Sequence, residues 1–191
     1  MVPAVFIFIA TTGSLCGGLT AFVTLGFVHG LCKGRAFHQL RDIPSKTRML
    51  SKAYTLSTVS AICLALCSSS MIQRTFFHSQ HILAATLAAI TAVLSSNLSF
   101  QFFQIPAMVA TSFFDNNKAL SLSLFDAMGF FFSAQVWATT GKIVSNTGQL
   151  GWSFSWLMLA GMFAAGGRTM LAILPTVLHK QQQGFSGREL K

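Results

Sequence analysis

Residues 81–105 read HILAATLAAITAVLSSNLSFQFFQI and contain no Asp, Glu, Lys or Arg. A helix of about twenty mostly apolar residues is long enough to cross the hydrocarbon core of a bilayer. The stretch therefore predicts a transmembrane helix. The apolar run continues past Pro106, where we expect a kink because proline lacks a backbone donor and clashes with the preceding turn.

Four further apolar segments accompany this one, at 3–32, 49–70, 119–144 and 152–178. The first lacks a basic n-region, and its apolar run of about thirty residues is too long for a signal-peptide core, so we interpret it as a retained transmembrane helix. The sequence thus predicts an all-α, polytopic transmembrane helix bundle with about five transmembrane helices. It forms a single membrane domain over 1–191, with a basic loop at 33–48 and a polar tail at 179–191.

The composition argues against a water-soluble protein. Apolar residues make up 52% of the chain and charged residues only 9%, whereas an average globular chain is roughly 25% charged. The net charge of +9 would suggest nucleic acid if it formed a basic face on a soluble module. Here the basic residues fall between the apolar runs instead, which is typical of a membrane protein with basic loops on one side. We therefore expect no nucleic acid partner.

The basic residues also predict an orientation. With five crossings, one side of the membrane holds only Arg74 and Lys142. The other side holds Lys33, Arg35, Arg41, Lys46, Arg48, Lys52, Lys118, Lys180, Arg188 and Lys191. Loops rich in Lys and Arg stay on the cytoplasm-like side. We expect an organelle or inner membrane, with loop 33–48 and the C-terminus on the positive (cytoplasm-, stroma- or matrix-like) side.

Three amide side chains line one face of the third predicted helix. Asn97, Gln101 and Gln104 are spaced i, i+4, i+7, and residues at such spacings are neighbours on a helix surface. Amides are unfavourable against lipid, so they should face the bundle interior or a water-filled path. Two interpretations stay open: the stripe lines a substrate path, or it forms interhelical hydrogen bonds that hold the bundle together.

An aspartate lies inside the fourth predicted helix. Asp126 is roughly 11 Å from the start of that helix at about 1.5 Å per residue. Arg168 on the following, antiparallel helix reaches a similar depth, which predicts an intramembrane ion pair between the two. The alternative is that Asp126 caps a helix break or meets water near the interface while Arg168 extends outward to the headgroups.

No arrangement of residues typical of an enzyme is apparent. Cys63 and Cys67 share a helix face, but no His or second Cys pair completes a metal set. His78 and His81 are close in sequence and lack a third ligand nearby. We find no nucleophile–base arrangement, phosphate-binding loop or paired carboxylates. We therefore predict no enzyme activity, no metal and no cofactor, and leave open a bound lipid or pigment.

Several short motifs occur in the order known from one transporter family. They are Asn117-Lys118-Ala119-Leu120, Asp126-Ala127-Met128-Gly129, Ser133-Ala134, Gly141-Lys142, Gly148 with Gly151-Trp152, and Lys33-Gly34-Arg35 after a glycine-rich helix. With these motifs the chain resembles the C-terminal half of a major facilitator superfamily transporter, in its organophosphate/sugar-phosphate antiporter branch. The N-terminal half of that family is absent. The aspartate expected in the basic-loop motif is also missing, with Val28-His29 nearby.

The resemblance implies one wall of a transport site, because such transporters bind substrate between two halves that rock against each other. We therefore expect a non-catalytic integral membrane subunit of a larger membrane protein complex, built on a transporter-like half bundle. The alternative is a half or fragment of a major facilitator-type secondary transporter for a small metabolite, an anionic one included. The expected partners are the lipid bilayer and other membrane subunits or a self-dimer.

Overall fold

The protein is all-α. The computed structural model describes residues 15–40, 42–76, 80–113 and 117–186. In those ranges it contains six helices: α1 (Leu15–Gln39), α2 (Ile43–Cys67), α3 (Ser70–Phe76), α4 (Gln80–Phe113), α5 (Lys118–Thr147) and α6 (Gln149–Ser186).

Four of these helices are long and apolar enough to cross a membrane. The candidate spans are Ile43–Cys67, Ile82–Ala110, Lys118–Thr147 and Gln149–His179. They coincide with four of the five predicted segments and confirm that the chain has the helices of an integral membrane protein. The first predicted segment, 3–32, begins outside the described residues, and its remainder lies in α1. The α4 helix runs through Pro106 to Phe113, as the sequence predicted.

The predicted basic loop at 33–48 is mostly helix. The α1 helix continues to Gln39, and α2 begins at Ile43. Asp42 caps the first turn of α2, its side chain accepting a hydrogen bond from Ser45 N at 2.8 Å, and Pro44 fits the first helical turn, which needs no N–H there. The basic side chains lie on helix ends because long Lys and Arg stems can reach the interface from a helix.

Two other segments outside the predicted transmembrane helices also contain helix. The short helix α3 occupies part of the predicted connection between the second and third spans. The α6 helix continues beyond its predicted end at 178 to Ser186, so the first part of the predicted polar tail is helical. Residues 187–191 lie outside the described part of the chain.

Helices α1 and α4 run parallel and pack closely through glycines. A Cβ atom built at Gly26 would lie 2.5 Å from the carbonyl oxygen of Ala92, and one at Gly30 would lie 2.5 Å from that of Ser96. Residue numbers rise together along the two helices, so α1 and α4 run in the same direction. Small residues allow such close backbone approach in lipid.

The α2 and α6 helices are antiparallel. Gln149, at the start of α6, donates to Gln73 just beyond the end of α2, whereas Gly167 in the middle of α6 packs against Tyr54 in the first half of α2. The buried core forms where α2, α4, α6 and the end of α1 meet. Its members are Phe37, Leu50, Ala53, Phe100, Met108, Met170, Leu174, Val177 and Leu178.

The α5 helix is largely uncovered. Over its whole length, 118–147, only Ser121 and Thr140 are buried. These residues lie toward the two ends of the helix, and no residue of α5 belongs to the buried core.

Candidate functional site

The amide stripe of α4 faces its neighbouring helices. Asn97 is 1% exposed and Gln101 is 8% exposed. The Oδ1 atom of Asn97 accepts a hydrogen bond from Nζ of Lys33 on α1 at 3.0 Å. Its Nδ2 atom donates to the carbonyl of Val93 at 2.8 Å. Both ends of the Asn97 amide are therefore satisfied within the protein.

The other two amides of the stripe differ from each other. The Nε2 atom of Gln101 donates to Oγ of Ser57 on α2 at 3.0 Å, which links α4 to α2. Gln104 packs against Gly34 of α1, and its Oε1 atom is buried with no hydrogen-bond partner among the described residues. Two of the three amides thus join neighbouring helices, and a substrate path along the stripe stays a prediction.

Sequence reasoning missed the contribution of α1 to this layer. Hydropathy alone places Lys33 in the basic loop and leaves His29 as a lone histidine. In the structure both lie on α1 one turn apart, and Nδ1 of His29 is 2.9 Å from Oγ of Ser96. Their i, i+4 spacing beside the glycines of α1 was the available signal, since close helix packing brings such side chains onto the partner helix.

We use the name polar layer for this set of interhelical contacts. Its members are His29 and Lys33 on α1, Ser57 on α2, and Ser96, Asn97, Gln101 and Gln104 on α4. Such hydrogen bonds hold helices in register, because a polar group without a partner in the hydrocarbon is costly. These seven residues include one lysine and no carboxylate.

The predicted ion pair on the last two helices is not formed in this structure. Asp126 is half-buried and Arg168 is exposed. No salt bridge with a nitrogen–oxygen distance of 4.0 Å or less joins them. Their pairing inside a membrane stays a prediction.

An open cleft of about 590 Å³ lies beside the polar layer, between α2 and α4. Helices α1 and α2 contribute one lining residue each, Phe27 and Tyr54. The remaining lining residues belong to α4: Leu98, Ser99, Gln101, Phe102, Phe103, Ile105 and Pro106. The walls are mainly apolar, and Gln101 belongs to both the cleft and the polar layer.

The described residues contain no group of three or more His, Cys, Asp or Glu side chains that could hold a metal ion. Cys32, Cys63 and Cys67 are free thiols. The chemistry offered by the polar layer and the cleft is thus hydrogen bonding by hydroxyl, amide, imidazole and ammonium groups. No protein-family model, curated protein or solved structure matches this chain.

Proposed function

We propose that this chain is a non-catalytic integral membrane subunit of a larger membrane protein complex, built on a transporter-like half bundle. One observation carries the proposal: α5 is long enough to cross the bilayer and yet buries only Ser121 and Thr140 against its own chain. A helix that packs so little within its own chain is available to pack against another subunit.

The chemistry of the exposed face of α5 favours protein over lipid. Gln135 is exposed near the middle of this span, and no residue in the described ranges hydrogen-bonds to it. An amide in contact with hydrocarbon alone is unfavourable, whereas helix interfaces in membranes use Gln side chains as hydrogen-bonding groups. A partner helix with a polar residue at this depth would satisfy Gln135.

Two aromatic side chains lie beside this amide on the same face of α5. Phe131 and Phe132 precede Gln135 by four and three residues and are 61% and 57% exposed. Phe side chains are compatible with lipid, but they also supply much of the buried area of protein interfaces. Together with Gln135 they form a patch of apolar side chains around one polar group, which is the usual composition of a helix interface.

The proposal includes five membrane crossings, with α1 as the first. The parallel packing of α1 on α4 supports it, because the first and third of alternating crossings must point the same way. Cysteine accessibility tests this. Single cysteines at Ser45 and Ser186 should both be labelled from the positive side. Labelling from opposite sides would rule out the five-crossing arrangement.

The test of the subunit proposal is capture of the partner. The tagged chain, purified in mild detergent, should carry other membrane proteins, and a photo-crosslinking residue at Phe131 should attach to one of them. Gln135→Leu should weaken that association about three- to twentyfold, because an interhelical hydrogen bond in a membrane contributes about 0.6–1.7 kcal/mol. Gln39→Leu, which replaces an exposed amide on α1, is the matched control. Crosslinking of Phe131 to lipid alone would refute the proposal.

The second candidate is a half or fragment of a major facilitator-type transporter for a small metabolite. The open cleft beside the polar layer favours it, since transport sites lie where broken or polar helices line a cavity. Replacing Asn97, Gln101 and Gln104 together by Leu separates the two candidates. Loss of uptake in reconstituted vesicles with intact assembly supports a transporter. Release from the partner subunits supports a structural stripe.

A further inference from the structure

We propose that the cleft between α2 and α4 binds a membrane-soluble molecule with a hydroxyl group on a flat apolar body, of the sterol or quinol type. The inference goes beyond the proposed subunit function and does not depend on it. Ligand cavities usually measure about 300–1,000 Å³ and combine apolar walls with a few polar groups. A cleft of about 590 Å³ lies within that range.

The walls of the cleft favour a flat body. Phe27 and Phe103 meet edge to face, with ring centroids 5.8 Å apart and an interplanar angle of 78°. Phe102 and Phe103 meet in the same way at 5.3 Å and 89°. Perpendicular rings leave flat faces free, and such faces pack well on rings or conjugated systems. Phe102 and Phe103 are 48% and 43% exposed, so the rest of the chain leaves both rings open to a ligand.

Two side chains at the cleft have unused hydrogen-bonding atoms. Gln101 is more than nine-tenths buried and uses Nε2 to bind Ser57, whereas no side chain in the described ranges donates to its Oε1. The hydroxyl of Tyr54 likewise bonds to nothing in the described part of the chain. Gly167 fixes the position of Tyr54, since a Cβ atom there would lie 2.8 Å from the tyrosine ring.

The third polar group at the cleft is a backbone carbonyl that Pro106 leaves without its helical donor. Proline has no N–H, so the carbonyl oxygen of Phe102, four residues earlier, lacks its normal helical donor. Phe102 and Pro106 both line the cleft. In a membrane, a carbonyl freed by proline needs another partner, because the hydrocarbon supplies none.

A hydroxyl group matches this set of atoms. It can donate to Oε1 of Gln101 or the carbonyl of Phe102 and accept from the hydroxyl of Tyr54. A carbonyl compound could only accept, and a pure hydrocarbon could do neither. The ligand group must therefore both donate and accept, and an alcohol or phenol is the simplest such group on an apolar body. Because α2 and α4 are candidate membrane spans, we infer a ligand that partitions into the bilayer.

Photolabelling of the purified chain in vesicles of phosphatidylcholine tests the proposal. Two diazirine probes are used, one a cholesterol analogue with a free hydroxyl and the other a decyl-substituted quinol. At least one should label peptides of α2 and α4, and the probe that labels identifies the source. The unlabelled alcohol should compete at least about fivefold better than its methyl ether, which cannot donate a hydrogen bond.

Two variants complete the test. Tyr54→Phe removes one hydroxyl without changing the ring, so the fold is retained, and it should weaken labelling about three- to tenfold. Gln39→Leu removes an exposed amide on α1 that does not line the cleft, and should leave labelling unchanged. No labelling of α2 and α4 by either probe would overturn the site. Equal competition by the alcohol and its ether, or full labelling of Tyr54→Phe, would overturn the role of the hydroxyl group.

Discussion

The close packing of α1 on α4 predicts that a single methyl group at Gly30 will destabilise the protein. A Cβ atom there would lie 2.5 Å from the carbonyl oxygen of Ser96 and 2.7 Å from the Cβ atom of Ser99. Both atoms are held in place by the backbone of α4, so neither can rotate away. The two helices must separate to admit the methyl group, and the change therefore acts on the whole interface.

The magnitude follows from the size of the overlap. Ordinary contacts of a Cβ atom begin at about 3.4 Å, so Gly30→Ala requires a shift of nearly 1 Å between two helix backbones. Overpacking of this kind costs about 1–3 kcal/mol. In an open helix position the same substitution is favourable by about 1 kcal/mol, because Ala is the better helix former. Gly161 on α6, where an added Cβ atom would meet nothing within 4 Å, provides that matched control.

The assay uses the chain's own thiols. Cys67 is buried and Cys63 is half-buried, so a thiol-reactive dye reports unfolding in detergent once the other two cysteines are replaced by Ala. Gly30→Ala should lower the midpoint by several degrees, since 1 kcal/mol corresponds to roughly 2–4 °C for a chain of this length. Gly161→Ala should leave it unchanged or raise it. Equal midpoints for the two variants would show that α1 does not pack on α4 through Gly30.

Three further predictions concern charged groups. In a double-mutant cycle, Lys33→Met and Asn97→Leu should be coupled by about 0.6–1.7 kcal/mol in thermal stability; additivity would mean that their hydrogen bond contributes nothing. Asp126→Asn and Arg168→Gln should each weaken association with the partner subunits more than the double change does, because removing one partner leaves a partly buried charge; additive losses would show that each charge finds its own water or headgroup. Hydrogen bonds from Ser45 lower the pKa of Asp42, so the stability contributed by this cap is present above the usual aspartate pKa and is lost as the pH falls through the lowered value. Thermal midpoints across the acid range should therefore fall less for Asp42→Asn, which keeps a capping side chain without the titrating charge, and identical pH profiles would contradict this.

Hydropathy was sufficient to predict the long helices. In the hydrocarbon every backbone polar group must be satisfied within its own segment, so a stretch such as 81–105 has no alternative to helix. Hydropathy predicted a loop from residue 33 onward. Lys33 and Arg35 lower the mean hydropathy there, so the predicted span ends before them. The structure continues α1 to Gln39. The amino group of Lys33 bonds to the buried amide of Asn97 on α4. This lysine therefore does not need to lie at the interface.

The distance between neighbouring helices is a second quantity that the sequence does not contain. A rise per residue gives an expected depth for Asp126 and Arg168. It does not give the distance between two helix axes, which depends on what packs between them. The two side chains form no salt bridge within 4.0 Å in the structure, although the rise per residue predicts similar depths for them.

The difference between α4 and α5 explains why the subunit interpretation is preferred to a self-sufficient transporter. Both helices are long, apolar and carry amides near mid-span. On α4 the amides of Asn97 and Gln101 are bonded within the chain, whereas on α5 the amide of Gln135 is exposed. Equal chemistry with unequal burial supports the proposal that α5 has a neighbour outside its own chain. A partner helix with a polar residue facing Gln135 would give α5 the same environment that α4 already has.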